Sequence, residues 1–460
     1  MKNRLNNEEL KREIGLFSAM VLVVANMVGT GIFTTSGFIM QELGNPYSLL
    51  ICWAIGGFIA LCGALCYGEL GALFPRAGGE YVFLRESFGK VMGFLSGWIS
   101  LIVGFSAPIA AAAIAFSSYL FKAMPGGGLF EFELALQGIT YLKISPVTIL
   151  AACTVLVISL VHYHSLNLGT RVQNILTAFK ICLLLLFIVA GLLLGQGSTE
   201  HLDYSLQLGT IFQGPFAVSL IFVTFAYSGW NAAAYLGSEI KNPERNIPLA
   251  LAAGTGLVII LYLLLNLVFV YALSPDEMSG MIEVGTKAAQ SLFGPTAGKL
   301  FSLAISLGLL SVISAMIMSG PRIYYAMAKD KVFFRLFSQV NSNRKTPASS
   351  IFLQAGLAIF MIVTTSFDSL LLYIGFTLSL FALLTVAGLM YLRRKKPELK
   401  SAYRTFGYPV TPLVFILASA WIIVFTISSR PMASLFGLGT ILAGFIFYFA
   451  FQKRNSQSEF

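Results

Sequence analysis

Val28-Gly29-Thr30-Gly31-Ile32-Phe33 lies in the middle of the first apolar run of the chain, and Phe225-Ala226-Tyr227-Ser228-Gly229-Trp230 in the middle of the sixth. Each is a glycine-containing stretch at which a helix can unwind. Hydrocarbon holds no water to take up freed N–H and C=O groups. A spanning helix therefore unwinds only where protein, or something polar that the protein holds, takes over those groups. One Gly-X-Gly in a span is ordinarily a place where neighbouring helices pack closely. Two breaks at matching places are harder to obtain from packing alone.

The composition fixes the class around these breaks. Of 460 residues, 57% are hydrophobic and 11% charged, and the mean hydropathy is +0.81. Soluble domains carry roughly 25% charged residues, so an all-α polytopic membrane protein is predicted. Apolar runs at 14–39, 47–74, 91–121, 146–163, 170–195, 213–238, 249–273, 297–325, 347–365, 369–392, 409–428 and 432–452 give twelve spans. Each is near or above the ~20 residues that cross a bilayer. The start, Met1 to Arg12, is polar and basic and leads into a full-length span, which predicts insertion without a cleavable signal peptide.

The net charge of +10 is explained by placement. Lys2, Arg4, Lys11 and Arg12, then Arg76, Arg85 and Lys90, and later Arg393, Arg394, Lys395 and Lys396 fall with others on the side holding the N-terminus. Lys122, Lys143, Lys287, Lys299 and Arg430 fall on the other. By the positive-inside rule both termini are cytoplasmic, and no nucleic-acid partner is needed. Cys52, Cys62, Cys66, Cys153 and Cys182 all lie in apolar segments, where cysteine is usually a small packing residue. No structural disulfide is expected.

The breaks are five segments apart. Segments one to five, about 14–195, and six to ten, about 213–392, would form two repeats of opposite topology. Two further helices at about 409–452 and a cytoplasmic tail at 453–460 follow. The stretch from Glu69 to Tyr81 continues amphipathically to Lys90 and predicts a helix lying along the interface. An outside loop is expected at 123–145, with Gly126-Gly127-Gly128 in it, a short inside link at His162–Asn167, and an exit loop at Glu239–Pro248.

A helix that resumes after a break offers bare N–H groups and a partial positive charge, which suit a carboxylate. Thr30, Gly31 and Ile32 would supply them, glycine allowing close approach of ligand to backbone. Carbonyls near Met27, Phe225, Ala226 and Ser228 would accept from an ammonium. The expected site is thus Asn26, Met27, Val28, Gly29, Thr30, Gly31 and Ile32 with Phe225, Ala226, Tyr227, Ser228, Gly229 and Asn231. Phe225 is a candidate gate. Lys180 sits about ten residues into its span, or ~15 Å deep. A lysine there is too far from the headgroups to reach them and points to function. Ser311 and Ser314 are candidate neighbours, by analogy alone.

No Asp or Glu reaches the middle of a span, so a cationic substrate would lack a counter-charge and a neutral one is favoured. His162 and His164 lack further ligands for a metal. No nucleophile–base pair or phosphate-binding glycine loop is visible, so neither catalysis nor a cofactor is expected.

In this order and spacing, Gly29-Thr30-Gly31-Ile32-Phe33, Glu69–Tyr81, Lys180, Phe225-Ala226-Tyr227-Ser228-Gly229-Trp230-Asn231, Glu239–Pro248, Gly320-Pro321-Arg322 and Phe406-Gly407-Tyr408-Pro409 resemble the amino acid–polyamine–organocation superfamily of permeases. The likeness is greatest to bacterial relatives of the L-type amino acid transporters and to lysine-bearing proton-dependent permeases. It implies a leucine-transporter-like 5+5 inverted repeat plus two helices, a Gly29–Gly31 carboxylate site and a Phe225 gate. It also implies that Lys180 stands in the place of a sodium ion. Ser314 stands where some relatives carry asparagine. The 123–145 loop has no cysteine, so no disulfide-linked ancillary subunit is expected. The expected function is sodium-independent exchange of neutral L-amino acids across the cell membrane by alternating access. The rivals are a proton-coupled symporter using Lys180 and a non-transporting amino-acid sensor. A channel would need a continuous polar pore, of which the sequence has no sign.

Overall fold

The computed structural model describes residues 12–76, 78–124, 132–136, 139–164, 166–205, 209, 211, 213–330, 332–338 and 348–457. The expectations for Gly126-Gly127-Gly128 and for most of the basic N-terminal segment fall outside these residues.

The first span is two helices, α1 (Leu16–Met27) and α2 (Thr30–Leu43), bent by 42° at the break. Gly44, in the left-handed region at φ 58°, ends α2. Asn45 then caps α3 (Pro46–Leu73), its side chain accepting from the N–H groups of Tyr47 and Ser48, with Pro46 at the first helical position. Of the expected amphipathic stretch from Glu69 to Lys90, Glu69–Leu73 belongs to α3 and Glu80–Phe88 forms a separate helix, α4. Gly89, at φ 92°, separates it from the third span.

That span is α5 (Lys90–Ile99) and α6 (Ala107–Ala123), joined by a π-helical stretch, Ser100–Ser106. Pro108 has no N–H for the carbonyl four residues back, and its ring crowds that carbonyl. Ser106 Oγ fits the widened turn by donating to the Leu101 oxygen at 2.7 Å.

The expected outside loop contains a hairpin, β1 (Phe132–Leu136) antiparallel to β2 (Ile139–Ile144), with a bulge between Leu134 and Ala135. Next come α7 (Pro146–His164) and α8 (Leu166–Leu194), so the expected His162–Asn167 link is helix on both sides of Ser165. The sixth span is α9 (Gly214–Ala226), a break, and only a four-residue α10 (Ala232–Tyr235). The expected helix to 238 does not form.

The expected exit loop ending at Pro248 is already helical from Pro243, in α11 (Pro243–Ala272). Both prolines lie in the first two turns of this helix. A segment not anticipated, α12 (Pro275–Met278) and α13 (Val284–Phe293), precedes α14 (Pro295–Lys329). Ser274 and Glu277 form a reciprocal capping box at the start of α12. The chain ends in α15 (Ala348–Thr364), α16 (Phe367–Lys395), α17 (Val410–Ser429) and α18 (Pro431–Gln457).

Among the described residues, nine helices are long and apolar enough to cross a membrane, and the bent α1–α2 pair makes a tenth. The shorter apolar helices α9 and α15 stand at the places of the sixth and ninth predicted spans. This is an all-α polytopic membrane protein. Large apolar side chains such as Leu186, Leu193 and Leu194 on α8 and Ile446 on α18 face outward, as a lipid-facing surface requires. Trp53, Tyr227 and Tyr262 are fully buried at the centre, where α11 packs along α3 and α1. Cys52, Cys62 and Cys66 are buried packing residues, whereas Cys153 and Cys182 face outward; all five thiols are free.

Glu69, 2% exposed near the end of α3, is held by a two-pronged Arg393 (Nε to Oε1, 2.7 Å; Nη2 to Oε2, 2.5 Å). It also accepts from the Thr405 N–H and hydroxyl, each at 2.7 Å. The Arg393 guanidinium stacks 3.8 Å from the Tyr408 ring centroid. The link between α16 and α17 is thereby fixed to the end of α3.

Candidate functional site

The two breaks meet. Gly31 lies so close to the end of α9 that a Cβ on it would be 2.3 Å from Ala226 Cα. Gly229, at φ 95°, faces Asn26, whose backbone C and O would be 2.9 Å from its Cβ. Glycine at 31 is thus demanded by the approach of one helix to another, not by open space for a ligand. Gly29 is different: a Cβ there would meet Met27 O, Val312 Cγ1 and Asn26 O at ordinary distances, 3.7–3.9 Å.

α2 begins at Thr30, and no side chain caps it. Its first-turn N–H groups have no carbonyl a turn earlier to bond. This is a helix N-terminus deep in the protein, with Thr30, Gly31 and Ile32 all buried. The contrast with α3, capped by Asn45, is direct.

The carbonyls on the other side of the break are partly engaged. The Lys180 Nζ donates to the Ala25 oxygen at 2.9 Å, placing an ammonium at the C-terminal, partially negative end of α1. Lys180 is 3% exposed and its Cβ lies against Gly308 of α14. Tyr262 donates to the Met27 oxygen at 2.6 Å, with the Ala226 oxygen at 3.2 Å. The Phe225 carbonyl takes the Ser228 N–H at 2.9 Å. Each carbonyl oxygen keeps a second lone pair.

Side chains in the breaks are committed in several cases. Asn26 donates back to the Leu22 oxygen at 2.9 Å. Tyr227 points away into α3, donating to the Trp53 oxygen at 3.2 Å and packing edge-on against the Trp53 ring. Asn231 donates to Glu80 at 2.9 Å. Val28 and Phe225 are buried, while Ser228, Gly229 and Asn231 keep partial exposure.

The serines expected near Lys180 bond elsewhere. Ser311 donates to its own helix at Gly308, 2.7 Å. Ser314 pairs with His162 Nε2 at 2.8 Å. His162 is therefore a buried member of α7, not part of a link.

Three contributors escaped the sequence reading. Tyr262 and Asn266 stand one turn apart on α11, and Asn266 accepts from Ser36 of α2 at 2.6 Å. A lone Asn in so apolar a run is the signal that would have found it. The third is Glu80, at the start of α4, which accepts from Tyr67 at 2.7 Å as well as from Asn231. Burial pushes its carboxyl above the usual range, against those two hydrogen bonds.

Hydrogen bonds tie down the chain beyond the breaks in both directions. Opposite the N-terminal side, the Gly280 N–H bonds the Gly37 oxygen at 2.9 Å and Tyr119 donates to Phe33 O at 2.6 Å. On the N-terminal side, Ile14 pairs with the strand-like segment at Ile240, through Ile14 N to Glu239 O (3.0 Å) and Lys241 N to Ile14 O (2.9 Å).

Two broken helices that meet inside a bundle of spans, with an uncapped helix start and carbonyls that keep a spare lone pair, are a recurring feature of secondary transporters. The chain belongs to the amino acid permease family, which it matches over residues 14–451. It is 31% identical over 445 residues to the human large neutral amino acids transporter small subunit 2, covering 96% of this chain and 80% of that one. It is 30% identical to the mouse b(0,+)-type amino acid transporter 1, covering 97% and 89%. To the serine/threonine exchanger SteT of Bacillus subtilis it is 30% identical over 450 residues, covering 97% and 98%. The protein is an amino acid transporter of this superfamily, neither an enzyme nor a sensor.

Proposed function

We propose that the protein exchanges neutral L-amino acids across the cell membrane by alternating access, without sodium. The substrate carboxylate would bind the N–H groups of Thr30, Gly31 and Ile32, beside Gly29, where the lack of a side chain lets it come near the backbone. Its ammonium would bind the free lone pairs of carbonyls at Asn26, Met27, Val28, Phe225, Ala226 and Ser228. The observation that carries this reading is the buried, uncapped start of α2 facing the end of α9.

Through its bond to the Ala25 oxygen, Lys180 would take the place at the end of α1 that a coupling cation otherwise holds. Ser311 and Ser314 stand one and two turns along α14 from the Lys180–Gly308 contact and bond the Gly308 oxygen and His162 instead. Phe225, buried beside the break, closes over the substrate. Both termini are cytoplasmic, as the placement of Lys and Arg supports. Repeats at about 14–195 and 213–392, with helices at about 409–452 appended, account for paired breaks five spans apart. The full-length likeness to a bacterial exchanger and a 123–145 segment without cysteine favour a transporter that works without a disulfide-linked subunit.

Purified protein in liposomes tests the exchange. Labelled amino acid should enter liposomes preloaded with unlabelled substrate and not empty ones, equally in sodium and choline buffers. Entry into empty liposomes driven by a pH gradient would instead establish proton symport.

A further inference from the structure

The break between α9 and α10 is not shaped by its own backbone. The backbone hydrogen bonds that Tyr227–Glu239 makes within itself are short-range turns, such as Ala232 N to Gly229 O and Glu239 N to Leu236 O. Its near end is held from outside by Tyr262, at Ala226 O. Its far end meets the first residues of α4. Glu80 Oε1 accepts from the Asn231 amide at 2.9 Å and from the Tyr67 hydroxyl at 2.7 Å. Tyr67 is itself wedged edge-on between Trp230 of the break, centroids 4.6 Å apart, and Phe83 of α4, 5.8 Å apart.

The turn before α4 is cut to fit the same place. The Gly78 N–H bonds the Tyr235 oxygen at 3.2 Å. Gly79, at φ 49°, is so close to the Tyr235 ring that a Cβ would fall 2.7 Å from it. The same helix is tied, through Tyr81 beside Glu80 and through Arg85 one turn on, to Asp330 just past the end of α14, at 2.9 and 3.4 Å. α4 thus touches both the second break and the end of the helix that packs on Lys180.

We infer that Glu80 is a positioning residue for transport: its carboxyl accepts the Asn231 amide and so sets the shape of the second break. This rests on the transport reading above. A partly buried acceptor with two converging donors fixes direction as well as distance, and its loss leaves both donors unsatisfied. Glu80 does not touch the substrate in this arrangement; it acts through Asn231.

A swap of donor and acceptor tests the pair. Asn231→Asp alone sets two carboxyls against each other and should lower exchange by about tenfold or more, the cost of a lost charge-assisted hydrogen bond. Glu80→Gln added to it reverses the pair, with the new amide donating to the new carboxyl, and should restore exchange to within about threefold of the parent protein. Glu80→Gln alone keeps an acceptor for Tyr67 and Asn231 and should retain most activity.

If Asn231→Asp does not fold, the alanine cycle replaces it. Glu80→Ala with Asn231→Ala should then be no worse than either single variant, in exchange rate and in thermal unfolding in detergent. A swapped pair no better than Asn231→Asp, or alanine effects that simply multiply, overturns the assignment while leaving parental exchange intact. A parent protein that neither binds nor exchanges amino acids overturns the transport reading itself, and this inference with it.

Discussion

The Tyr262 hydroxyl donates to the Met27 carbonyl oxygen at 2.6 Å, and the Ala226 oxygen lies 3.2 Å from the same hydroxyl. One side chain of α11 thus reaches the last turn of α1 and the last turn of α9 together. Breaking a helix in the membrane interior frees carbonyls that water cannot serve. Tyr262 serves one from each break, and Asn266, one turn on, ties α11 to Ser36 of α2.

Tyr262→Phe keeps the ring packing against Trp53 and Tyr227 and removes only the hydroxyl. A net loss of about 1–1.5 kcal/mol is expected, close to tenfold in any equilibrium the bond supports. Substrate affinity and thermal unfolding of the variant in detergent should both fall. Parental affinity with unchanged stability would show the hydroxyl to be idle.

Gly29→Ala and Gly31→Ala separate ligand approach from helix approach. At Gly31 a Cβ runs into Ala226 backbone, so the protein should be destabilised by about 1–3 kcal/mol, as overpacking does. At Gly29 the new methyl makes ordinary contacts, so thermal stability should hold while affinity falls through obstruction of the α2 N-terminus. Affinity unchanged in Gly29→Ala would move the carboxylate site elsewhere.

Lys180→Met removes the ammonium from the Ala25 oxygen but keeps an unbranched side chain one atom shorter. Uptake in choline buffer should collapse in this variant. Uptake at the parental rate with no added cation would reduce Lys180 to a packing residue.

The first break was legible almost to the residue. Val28 and Gly29 are the two residues between α1 and α2, within the quoted stretch. The second was legible as a place but not as a shape, because hydropathy continues to 238 while the backbone is turned by Tyr262 and Glu80 from other elements. His162 reads as a loop residue beside Tyr163 and His164. Its partner, Ser314, is supplied by α14, 152 residues on, and local pattern carries no trace of that. The hairpin at Phe132–Ile144 was missed for another reason: its strands, mostly apolar, lose their alternation at the bulge between Leu134 and Ala135.

Arg393→Ala leaves Glu69 buried with only Thr405 as donor. Removing one partner of a buried ion pair typically costs about 3–5 kcal/mol. Detergent-solubilised protein should unfold at a markedly lower temperature or fail to accumulate. Glu69→Gln, which removes the buried charge itself, should be milder. Equal and small effects would mean that the clamp between α3 and α16 is not structural.

The central claim is that bare main chain at two breaks grips both ends of a zwitterion. Competition against one labelled neutral amino acid tests it most directly. For each amino acid that competes, its amide and its decarboxylated amine are compared at the same concentration. The account predicts that the amino acid competes and both derivatives fail, since each lacks the group that α2 receives. A decarboxylated amine that competes as well as its parent amino acid would contradict it.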